Sequence, residues 1–75
     1  MVKYRVVEIL WNDACRYGAY NKHGLAAIHS VGYLVHEDDI AISIAQELDK
    51  TTGEYRDSVS IPKSCIVSSV VLRKG

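Results

Sequence analysis

Seventy-five residues, 48% of them hydrophobic and 24% charged, allow one domain over 1–75 and one small core. Nine basic residues cancel nine acidic ones, which argues against a nucleic-acid backbone binder relying on surplus Lys and Arg. No apolar run approaches the roughly 18–20 residues of a membrane span, and Met1-Val-Lys-Tyr-Arg has no export pattern.

The expected location is therefore the cytoplasm, with Cys15 and Cys65 as reduced thiols, since neither has metal-type or CxxC spacing. Five Tyr and one Trp stand beside no Phe. A tyrosine ring has a polar tip, so these side chains suit positions where one end meets water or a partner.

In chain order, residues 3–11 predict the first strand. Val7, Ile9 and Trp11 fall on one face, and Tyr4, Val6 and Leu10 share the other with Glu8. Asn12 and Asp13 break that pattern and open a long loop to Ala27. A second strand is expected from near His29, where Gly32 marks a bend or a close backbone approach. Glu37-Asp38-Asp39 supplies a turn.

A third strand follows, with Ile40, Ile42, Ile44 and Leu48 inward and Ala41, Ser43, Ala45 and Glu47 outward. Helix competes over Ala41–Leu48, but the β-branched residues repeat in step with two. Asp49–Gly53 reads as another turn. Tyr55, Asp57, Val59 and Ile61 predict a fourth strand that Pro62 ends, because proline cannot donate to a ladder. One 3₁₀ turn over Pro62-Lys63-Ser64 and a last strand over Cys65–Leu72 complete the chain. The fold class is all-β, a small five-stranded barrel.

A strand ending in Ile61-Pro62, a single 3₁₀ turn, and a final strand from Cys65 resemble the closing arrangement of SH3-like barrels. The long loop after Trp11 is similar to their first long loop. The aromatic groove of peptide-binding SH3 domains has no counterpart here, so proline-rich peptide binding is not implied. Sm-like barrels share the five-strand plan but begin with a helix, for which this chain has no room. The pattern VGYLVHEDD…SIPKSCIV also resembles small uncharacterised phage and prophage proteins, which implies no particular activity.

The loop Asn12–Ala27 holds Arg16, Tyr17, Tyr20, Lys22 and His23, with Gly18 and Gly24 as flexible points. Cations can meet phosphate or carboxylate and tyrosine rings can stack on a base, so these five residues are the candidate ligand site. The plain alternative is a solvated loop covering the barrel end.

His36, Glu37, Asp38 and Asp39 carry metal-ligating groups, but neighbours on an extended strand point to opposite faces, so a polar turn is expected and no metal. Cys15 with His23 would be a nucleophile pair lacking an orienting third group, so no enzyme is expected. Cys65 is expected beside the core, and Trp11 within it.

The combined expectation is a non-enzymatic, cofactor-free binding module. A small core, apolar residues on both strand faces and zero net charge favour a homo-oligomer. Its ligand would be a small anion or nucleotide, with sequestration of a host signal molecule as one role. Alternatively, it would dock on a host or virion protein through a strand edge or a Tyr-bearing surface.

Overall fold

The computed structural model describes residues 4–13 and 26–75, which form one antiparallel five-stranded sheet. The strands are β1 (Val6–Asp13), β2 (Ala26–Glu37), β3 (Ala41–Leu48), β4 (Tyr55–Pro62) and β5 (Ile66–Arg73). A single 3₁₀ turn, Lys63–Cys65, separates the last two. No α-helix occurs among the described residues. The strand order is β4-β3-β2-β1-β5, so β4 and β5 are the two edges.

This connectivity forces the sheet to curl. In a flat sheet, β4 and β5 would lie four strand spacings apart, about 19 Å. The 3₁₀ turn joining them advances only about 6–8 Å. The sheet therefore wraps over one face, and that face carries the core. Val7, Ile9 and Trp11 of β1 are buried there with Ile44 of β3 and Ile61 of β4. Ile28, Leu34, Ile42, Cys65 and Ile66 pack against them. The Trp11 indole N–H donates to Ser30 Oγ at 3.0 Å, which satisfies its one polar group at the core margin.

β2 is shared between two ladders. Its first part pairs with β1, from Asp13↔Ala26 to Val6↔Tyr33, and its last part pairs with β3, from Tyr33↔Ala45 to Glu37↔Ile42. Gly32 lies at the crossing. A Cβ there would sit 2.7 Å from the carbonyl oxygen of Ala45, so the expected close approach is real and only glycine fits it. Beyond it, Val35 is an extra residue between the pairs Leu34↔Ile44 and His36↔Ser43, a bulge that turns the strand further.

Both turns are built on aspartate. Asp38 Oδ1 accepts from the N–H of Ile40 at 2.8 Å and of Ala41 at 2.9 Å. Asp49 Oδ1 accepts from Thr51 at 2.8 Å and from Thr52 at 3.2 Å, and Gly53 takes φ 82° to close that loop.

Several expected details change. β1 starts at Val6 and continues through Asn12 and Asp13, which pair with Ala27 and Ala26 and so belong to the ladder rather than to a loop. Ile40 is 76% exposed because the Asp38 turn includes it, so it never enters the inward alternation. Ala45, expected outward, is fully buried where β3 presses on Gly32.

On β4 only Ile61 is buried. Tyr55, Asp57 and Val59 are exposed, and Asp57 holds φ 57°, a left-handed conformation that aspartate tolerates better than most residues. The 3₁₀ turn and β5 each begin one residue later than expected.

Candidate functional site: the open edge of the sheet

The ligand residues expected from the sequence, Arg16, Tyr17, Tyr20, Lys22 and His23, lie outside the described residues, as does Cys15. What is described is where that segment attaches. The chain leaves β1 at Asp13 and enters β2 at Ala26, directly opposite in the register.

Two groups of expected chemistry resolve into structure. His36 Nε2 lies 3.2 Å from Asp38 Oδ2, and Glu37 Oε2 lies 3.0 Å from Lys63 Nζ. These side chains brace the β2–β3 hairpin and tie it to the 3₁₀ turn. Among the described residues, no group of three or more His, Cys, Asp or Glu is placed to hold a metal ion. Cys65 is a free, half-buried thiol packed on the core.

Asp38 is held well below the ordinary carboxylate value of 3.8, at about 2, first by the Ala41 N–H, then by the Ile40 N–H, then by His36. A depressed folded-state pKa means the stabilising contribution is present above 3.8 and is lost as the pH falls toward 2. A carboxyl-carbon NMR titration is expected to show Asp38 turning over near pH 2, with faster amide exchange at Ile40 and Ala41 below that point. A midpoint at 3.8 would contradict the hydrogen-bonded turn.

A run of exposed apolar side chains lies on β5. Val67, Val70, Val71 and Leu72 are 59%, 52%, 48% and 53% exposed. From Ile66 to Leu72 the strand carries no charge and no proline. One backbone side of β5 pairs with β1, and among the described residues no strand lies along the other side.

The register also fixes its faces. Val71 lies opposite Val7 and Ser69 opposite Ile9, on the core side, whereas Val70 lies opposite Glu8 on the outside. Val67 and Leu72 are the extra residues of two bulges, which leave Ser68–Val71 as a regular central stretch.

The described tyrosines, Tyr4, Tyr33 and Tyr55, make two ring contacts. The Tyr33 ring has the Arg73 guanidinium 6.0 Å from its centroid, and Tyr4 meets Tyr55 edge to face at 6.3 Å. A shallow, open depression lined by Gly53, Glu54, Tyr55 and Arg56 adjoins the second of these.

The class these observations define is a small, curled, all-β sheet with an uncovered apolar edge. No family model, curated protein or solved structure matches the chain. No helix among the described residues is long and apolar enough to cross a membrane.

Proposed function

We propose that this protein is a non-enzymatic binding module whose contacts are made with protein, through the β5 edge and the adjoining tyrosine-bearing surface. The observation that carries this reading is the run Ile66–Leu72, an uncharged edge strand with four large apolar side chains about half exposed. Proteins that work alone blunt such edges with charge, proline or a covering segment, because an open ladder recruits another strand. Main-chain hydrogen bonds would supply affinity, and alternate side chains would supply specificity.

The test compares pull-downs with wild type and Val70→Lys. Lysine in the middle of the edge sets a charged side chain beside the seam with a partner strand, the device that natural edges use against pairing, and Glu8 opposite gives that charge a neighbour within the fold. One protein recovered by wild type and lost with the variant supports the reading. Equal recovery by both would exclude the β5 edge.

A second reading keeps the loop as a site for a small anion or nucleotide, on the strength of Arg16, Lys22 and the tyrosines between them. It expects Arg16→Ala and Lys22→Ala each to weaken binding to a nucleotide mixture at least roughly tenfold with the fold intact. Native mass spectrometry showing no bound nucleotide on wild type would remove it.

A further inference from the structure

We infer that the occupant of the β5 edge is β5 of a second copy, joined antiparallel about a two-fold axis at Ser69 to make a sheet continuous across two chains. The inference rests on the strand-edge reading above and names its partner. The two edges of the sheet differ in what they can pair with.

β4 is guarded. It carries Arg56 and Asp57 side by side, Asp57 bends the backbone with φ 57°, and Pro62 at its end lacks an N–H. The pairs Glu47↔Arg56 and Ala45↔Ser58 leave no ladder bridge at Asp57, so the strand is irregular there. A flat partner strand does not fit along it.

From Ile66 to Leu72 β5 has no charge and no proline, Arg73 standing at its end, and its two bulges fall at Val67 and Leu72, outside the central stretch. An edge without charge is complementary to another edge without charge. Of the two edges among the described residues, β5 is the one that qualifies, so self-pairing is isologous rather than head to tail with β4.

The faces restrict the register, and Ser69 is the midpoint of the uncharged run Ile66–Leu72. Residues opposite each other in an antiparallel pair must share a face, so the axis passes through a residue rather than between two. With the axis at Ser69, Val67 of one copy meets Val71 of the other, and Ser68 meets Val70. No like charges face each other across the seam between Ser68 and Val71, since the stretch contains none. Two copies so joined also share one apolar concave face, because Val71 and Ser69 lie on the core side beside Val7 and Ile9.

A single strand pair is a small interface, on the order of 1,000 Å², so a micromolar Kd is expected. Light scattering on wild type at concentrations rising to about 100 µM should therefore show monomer converting to dimer. Val70→Lys and Val67→Lys should each weaken the dimer at least roughly tenfold, while Ser58→Lys on β4 leaves it unchanged.

Independently of any weakening, Ser69→Cys should form a disulfide between the two copies of residue 69 under mild oxidation, identified by peptide mass. Wild type that stays monomeric throughout that range overturns the inference. So does an assembly that survives Val70→Lys and gives no 69–69 crosslink, or one larger than two. The pull-down above reads the strand-edge function separately. A monomeric wild type whose protein partner is still lost with Val70→Lys would sink the second-copy inference alone.

Discussion

Ile61→Ala is expected to cost about 2–5 kcal/mol, which is the range for removing a large aliphatic side chain from a packed site. Ile61 is fully buried and is the one buried residue of β4. It also sits, with only Pro62 between, before the 3₁₀ turn that carries the chain across to β5, so its packing holds the curl of the sheet. At roughly 0.05–0.15 kcal/mol per residue, a domain of this size has about 4–11 kcal/mol in all. The variant is thus expected to lose roughly half of the domain's stability.

Trp11, the single tryptophan, is buried in the same cluster and reports the transition by fluorescence. With a urea m-value near 1 kcal/mol per M, the midpoint should fall by about 2 M or more. Ile40→Ala is the matched control. The same atoms are removed from a side chain 76% exposed in the Asp38 turn, and the change should stay within about 0.5 kcal/mol. Similar losses for the two variants would mean that the core described here is not the one that stabilises the chain.

Gly32→Ala is expected to destabilise by about 1–3 kcal/mol, the usual cost of forcing atoms into a closed space. Without a steric obstacle the sign would be opposite, since alanine restricts the unfolded chain and is typically worth about 0.4–1 kcal/mol. The obstacle is backbone: the new Cβ would lie 2.7 Å from the Ala45 carbonyl oxygen. A flexible side chain could move aside, but this carbonyl belongs to β3 beside the pair Tyr33↔Ala45. Relief requires β2 and β3 to separate, which would also stretch the bond from the Gln46 side-chain amide to the Val31 carbonyl, now 3.0 Å.

Faster amide exchange should consequently appear across the β2–β3 ladder before it appears in β1–β5. An alanine variant as stable as wild type would remove the close approach as the reason for glycine here. Gly53 differs: its φ of 82° makes it a turn glycine, and its replacement acts through backbone strain.

Much of the fold was legible because the relevant signals are local. Alternation over Val7, Ile9 and Trp11 identifies the buried face of β1 without any knowledge of its neighbours. Asp38 and Asp49 announce turns because a carboxylate can accept from the amides two and three residues on. Pro62 and the short segment after it predict the 3₁₀ turn for reasons that reside in the proline ring itself.

Ile40 was misplaced because periodicity cannot say whether the first residue of an apolar run lies inside the strand or in the turn before it. Ala45 was misplaced because its burial comes from another strand crossing at Gly32, far away in the chain. The candidate ligand residues between Arg16 and His23 remain a reading of composition, since they fall outside the described residues.

The amino-acid order alone was sufficient for five short strands, their turns and the inward face of β1, because period-two patterning, aspartate turns and proline act over a few neighbouring residues. Which strands became edges was a matter of three-dimensional assembly. Ile66–Leu72 has the composition of a strand covered on every side, and the same residues would read identically at the centre of a sheet. Pairing order is set by long-range contacts that curl the sheet over Ile9, Ile44 and Ile61, and that order left β5 with one backbone side open.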